Sequence, residues 1–148
     1  MIFKKFAVKG GSFLSEDPAY FDGGFFSFVK SELLSIDPQQ RLLLESIYHA
    51  LENAGLPMEK VVGSATSVYV SGFNHDHRDA VHTDPEATAR HTIAGVSNTF
   101  LSNRVSWFYD FQGQSMTIDT ACSSSMIGVH LAVQSLRSGE SEMARRLS

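Results

Sequence analysis

The sequence carries a single cysteine, Cys122, in 148 residues. One thiol cannot close an internal disulfide, so a fold stapled by bridges is excluded and nothing calls for an oxidising compartment. Positive charge is also sparse: 12 Lys and Arg stand against 16 Asp and Glu, for a net charge of −4. No Lys/Arg block is dense enough to follow a phosphate backbone, which argues against nucleic acid as a partner. The apolar runs fall far short of the ~20 residues a membrane span needs. Met1-Ile2-Phe3-Lys4-Lys5-Phe6 has two lysines but no sustained apolar stretch, so it does not read as a signal peptide. Internal repeats and low-complexity tracts are missing. These absences leave a reducing, cytoplasmic setting as the expectation, without membrane or nucleic acid.

What is present is globular composition, 43% hydrophobic and 19% charged. A compact fold of this length buries about 68–70% of the surface its unfolded form exposes, enough for a core. Residues 9–30 are rich in Gly and Phe and broken by Pro18, the pattern of an aromatic-anchored loop with short turns. Asp37 as N-cap, Pro38 at the first helical position and Gly55 as a stop predict a helix over 38–54. Leu43, Ile47, Ala50, Leu51 and Ala54 share one face of it, with Arg41, Glu45 and Glu52 directed to solvent. Ser67–Phe73 reads as a strand, 74–92 as a polar loop with a short helix, and Ser97 to about Tyr109 as a second helix. In that helix Phe100, Leu101, Val105 and Phe108 turn inward, and Gly113 lies beyond its end. Ser115–Asp119 reads as a second strand.

A third helix is predicted from Cys122 to about Arg137, ended by Gly139. Met126, Val129, Val133 and Leu136 make one apolar stripe, which Ile127 and Leu131 widen, so the helix is expected to be buried. Strands alternating with helices argue an α/β arrangement with parallel pairing.

The chemistry concentrates at Asp119-Thr120-Ala121-Cys122-Ser123-Ser124-Ser125. A strand ends, the chain turns within two or three small residues, and a helix begins at the cysteine. That placement sets the sulfur among the free N–H groups of a first helical turn, where the dipole favours the nucleophilic thiolate. Ala121 and Ser123 leave room for a substrate carbonyl, and the Cys122 N–H is a candidate oxyanion-hole donor. The arrangement parallels the strand–turn–helix elbow that presents a serine in other enzymes. A lone cysteine is also an ordinary small buried hydrophobe, and position alone leaves both readings open.

The run from Asp119 through Ser125, continued by Met126-Ile127-Gly128-Val129-His130-Leu131-Ala132, resembles the active-site segment of β-ketoacyl synthase domains of type I polyketide synthases. The resemblance extends to Asp37–Glu45, Ala50–Gly55, Asn103-Arg104-Val105-Ser106-Trp107 and Ser135–Glu140, covering residues 12 to 143. It implies part of a thiolase-like fold, a fragment of the N-terminal half of an α/β/α/β/α layered structure that works as a dimer. By that resemblance Cys122 accepts the acyl chain from the phosphopantetheine thiol of an acyl carrier protein, and no cofactor or metal is bound directly. A malonyl unit on the carrier is then decarboxylated and its carbanion attacks the thioester, a Claisen condensation assisted by two histidines of the second half.

The family's His-Gly-Thr-Gly-Thr motif is not among these residues, and only 26 follow Cys122. The chain is therefore expected to be a partial ketosynthase domain over 1–148, with a divergent tail at 144–148. It is expected to be inactive in condensation or limited to self-acylation. The alternative is a non-catalytic fragment that associates with an intact synthase. A cysteine hydrolase is the weaker third reading, since no histidine is placed to serve Cys122 as a base. His130 lies eight residues on, a rise of ~12 Å along the helix, and is expected to pack in the interior. Gln114, where family members commonly carry proline, is expected to loosen the turn before the second strand. His75, His77, His82 and His91, near Asp76, Asp79 and Asp84, are the one candidate zinc cluster, against the plainer reading of a solvated loop. With two short strands, open sheet edges and a sticky Ser67–Phe73 segment are expected, and with them a marginal or aggregating fragment.

Overall fold

A computed structural model describes residues 10–15, 17, 19–83 and 92–147. Four helices precede α5 and α6: α1 Lys30–Leu33, α2 Pro38–Asn53, α3 Met58–Val61 and α4 Asp76–Thr83. Then come α5 Thr92–Val96, α6 Thr99–Phe108 and α7 Ser124–Ser138. Three strands, β1 Thr66–Ser71, β2 Ser115–Ile118 and β3 Met143–Leu147, form one parallel sheet in the order β2-β1-β3. Val68 pairs with Ser115 on one side and with Arg145 on the other. The open edges expected along β1 are therefore closed on both sides. The residues read as a divergent tail supply the third strand.

Central strands of parallel sheets are covered on both faces, and Thr66–Val70 are all buried. Val68 and Val70 face α2 and α6, in a core with Leu44, Ile47, Leu51, Leu101, Val105 and Tyr109. Tyr109 donates its hydroxyl to Leu44 O at 3.0 Å. The aromatic loop closes one end of this core: Phe21 stacks on Phe26 with centroids 5.0 Å apart, and Phe26 reaches Phe108 at 5.0 Å. The opposite sheet face receives α7. There a run of buried hydroxyls, Ser67 to Ser141 and Ser141 to Ser135, ties strand to helix.

α2 begins as the sequence predicts, with Asp37 Oδ1 accepting from Gln39 N at 2.8 Å and Pro38 at the first position. Its buried face is Gln40, Leu44, Ile47 and Leu51, rotated by a residue from the predicted one. Leu43 is half-buried, and Ala54 is exposed at the C-cap. Arg41 is also not a solvent residue. Its guanidinium donates to Leu33 O and Ile36 O at 3.0 Å each, closing the loop ahead of the helix. Burial lowers the Arg41 pKa, against the opposing pull of Asp37. Gln114 is held rather than loose. Its amide accepts from Tyr69 Oη at 2.8 Å and donates to Glu140 at 2.9 Å, while its own N–H, which a proline lacks, donates to Ser67 Oγ at 2.9 Å.

On the outer side of α2, Tyr48 has its phenol pKa raised, first by its hydrogen bond to Glu52 and then by the charge of the same carboxylate. Glu52→Gln is therefore expected to bring the Tyr48 midpoint down towards the ordinary value of about 10. Titration of the Tyr48 ring by NMR checks this, and an unmoved midpoint refutes it.

Candidate functional site

The site is built where β2 runs out. After Ile118 the chain makes one tight loop, Asp119–Ser123, before α7 begins at Ser124. Cys122 thus stands two residues ahead of the helix rather than at its first residue, and its side chain is exposed. The predicted halo of free amides is partly consumed, because Ser123 N donates to Thr120 O at 3.3 Å and Ser124 N to Ala121 O at 3.1 Å. The Cys122 N–H donates to none of the described residues.

Ala121 has φ of +52°, a left-handed conformation that costs an alanine roughly 1–2 kcal/mol. Side-chain bonds hold it there. Asp119 Oδ1 accepts from Ala121 N at 3.1 Å. Ser123 Oγ donates to Thr120 O at 2.7 Å. Ser124 Oγ accepts from Thr120 N at 2.8 Å and donates to Ala121 O at 2.7 Å. At about 1 kcal/mol net per bond these offset the strain of the elbow. Sequence reasoning singled out Ala121 and Ser123 for their small size and missed Ser124 as a lock. Its available signal was a serine able to bond back to the backbone three and four residues upstream.

α7 is not the buried helix expected. Its sheet-facing residues are Ser124, Gly128, Ala132 and Ser135, all small. The predicted core stripe points the other way: Met126 is 70% exposed, Leu136 45% and Val133 40%. Small side chains let the helix axis approach the sheet closely, so the larger apolar ones occupy the outer side. His130 is likewise exposed, not packed inside.

The histidine segment does not converge. His77 Nε2 lies 3.3 Å from Ser35 O, while His82 is exposed. His75 and His82 border a cleft of about 360 Å³ with Arg78 and the start of α6. His91 and Asp84 lie outside the described residues. Among the described residues no three His, Cys, Asp or Glu stand together as a metal site. No helix among them is long and apolar enough to cross a membrane.

Fold and elbow together define an α/β chain that offers one thiol on a strained turn at the carboxyl edge of a parallel sheet. Comparison with known proteins gives the class. Residues 2–144 match the family model described as β-ketoacyl synthase, N-terminal domain, and the chain belongs to that family. It is 60% identical over 139 residues to the highly reducing polyketide synthase tazB of Aspergillus terreus, covering 94% of this chain and 5% of that protein. It is 50% identical over 137 residues to the lovastatin diketide synthase mokB of Monascus pilosus, 93% of this chain and again 5% of the relative. Among solved structures, the ketosynthase from module 6 of the bacillaene synthase of Bacillus subtilis 168 superposes with a TM-score of 0.74 at 31% identity. That match covers 86% of this chain and 21% of the other. The oxazolomycin ketosynthase domain OzmH KS7 of Streptomyces albus JA3453 gives a TM-score of 0.76 at 35% identity, covering 90% and 23%. The fold is therefore part of the thiolase-like ketosynthase fold, and the chain spans about a twentieth of the length of these curated relatives.

Proposed function

We propose that this chain supplies the acyl-accepting half of a polyketide ketosynthase reaction, with Cys122 as the nucleophile. The observation that carries the reading is the elbow: an exposed thiol beside a backbone N–H that donates to none of the described residues, on a turn held by five side-chain bonds. The donor is an acyl thioester on the phosphopantetheine of an acyl carrier protein. The Cys122 thiolate attacks the thioester carbonyl and a carbon–sulfur bond forms to Sγ. The resulting oxyanion collapses, and the carrier sulfur departs as a thiolate that takes up a proton. In the family's full reaction a malonyl-carrier then loses CO₂, and its carbanion displaces the acyl group from the cysteine. That step draws on histidines that are not among these residues, and acylation of Cys122 is the step assigned to them. A thiol that must stay reduced suits a cytoplasmic setting.

The outward apolar side chains of α7 favour a second reading, association with another ketosynthase chain, whether as a homodimer or docked on an intact synthase.

Intact-mass spectrometry after incubation with an acyl N-acetylcysteamine thioester tests the first reading. One acyl adduct, mapped to Cys122 and missing from Cys122→Ala, is expected. A protein that stays unmodified while binding a full-length ketosynthase supports the second reading and removes the first.

A further inference from the structure

We propose that Ser124 is a positioning residue that turns the Cys122 N–H towards the reacting carbonyl. The inference rests on the reading of Cys122 as acyl acceptor. Ser124 is 2% exposed, so its hydroxyl is committed to the protein, and both its bonds go to the elbow. The decisive one is donated to Ala121 O at 2.7 Å. That oxygen and the Cys122 N–H belong to the same planar trans peptide and point in opposite directions. Drawing the oxygen onto Ser124 Oγ and Ser124 N turns the N–H away from α7, next to the exposed Cys122 side chain of its own residue. In this orientation Ala121 stands in the left-handed region. The second bond, from Thr120 N to the same hydroxyl, fixes the residue before Ala121 and stops the turn from relaxing. One buried hydroxyl therefore sets the direction of the amide that receives the developing oxyanion.

The test compares two reactions of the same sulfur. Transfer from an acetyl N-acetylcysteamine thioester passes through an oxyanion. Alkylation by iodoacetamide displaces iodide at a saturated carbon and forms none. In Ser124→Ala the acylation rate is expected to fall at least tenfold, since losing one oxyanion donor typically removes about 10²–10³ in rate. Alkylation should stay within about twofold of the wild type. Ser138→Ala, which loses a hydroxyl bonded to Ser135 O at the far end of α7, should leave the ratio of the two rates unchanged, and Ser124→Thr should restore it. Equal falls in both rates, or an unchanged ratio in Ser124→Ala, overturn the proposal. A crystal structure of Ser124→Ala decides the point separately. The 121–122 peptide is expected to rotate and Ala121 to leave positive φ, and a retained wild-type conformation overturns the proposal. A wild-type chain that refuses acylation would sink the reading of Cys122, and this structural comparison would still decide the role of Ser124.

Discussion

Replacing Gly95 by alanine is expected to lower the melting temperature by about 10 °C or more. A Cβ at this position would lie 2.2 Å from Ser35 O, 2.7 Å from its carbonyl carbon and 3.3 Å from Ile36 Cα. All three are backbone atoms, so no side-chain rotation can relieve the overlap. The close approach is used: Gly95 O accepts from Asp37 N at 2.9 Å and from Gln40 Nε2 at 2.9 Å. Pushing α5 away therefore strains the junction and also unpairs the N-cap amide of α2 and a buried glutamine. Overpacking costs ~1–3 kcal/mol and each orphaned buried polar group a further ~1–3, so about 4 kcal/mol is a fair sum. For a chain of this size 1 kcal/mol moves the midpoint by roughly 2–4 °C. Gly24→Ala is the control, with its nearest neighbour a carboxylate oxygen 3.4 Å away at the surface. A Gly95→Ala melt within about 3 °C of the wild type would show that the two segments separate freely.

Gly95 illustrates what local sequence does not carry. The start of α2 was legible because its signals are adjacent in the chain: Asp37 caps Gln39 N, and Pro38 fills a position that needs no N–H. The family assignment was legible for the same reason, resting on contiguous runs such as Asp119–Ser125. What was misread depends on partners far away in sequence. Met143-Ala144-Arg145-Arg146-Leu147 has no β-branched residue and two charges, and it becomes a strand through its ladder with Thr66–Val70. The face of α7 was inverted because apolar periodicity marks where large side chains lie and cannot say which side a helix turns to its sheet. The small stripe of Ser124, Gly128, Ala132 and Ser135, spaced at i, i+4, i+8 and i+11, was the overlooked signal. On α2 a glutamine, Gln40, is buried in a position that hydropathy assigns to solvent, because Ala94 O and Gly95 O wait for its amide. At the elbow the cysteine was found by its residue type and setting, whereas the positive φ beside it comes with side-chain bonds whose one local signal, the back-bonding Ser124, was overlooked.

The same elbow makes Cys122→Ser an informative substitution. It keeps the shape, the exposure and the backbone N–H and replaces only sulfur by oxygen. A serine hydroxyl becomes a useful nucleophile when a positioned base removes its proton during attack, as the histidine of a serine hydrolase does. The polar side chains of the elbow, Asp119, Thr120, Ser123 and Ser124, are engaged with one another or with the turn. His130 is on the far side of two helical turns and faces solvent. A thiol in general is intrinsically a strong nucleophile and reacts without that help. Acylation of Cys122→Ser by the N-acetylcysteamine thioester is therefore expected to fall by roughly 10³-fold or more, to the level of Cys122→Ala, as read by the rate of adduct formation. Retention of even a tenth of the wild-type rate would mean that a base serves residue 122. The cysteine hydrolase reading, set aside for want of such a base, would then have to be taken up again.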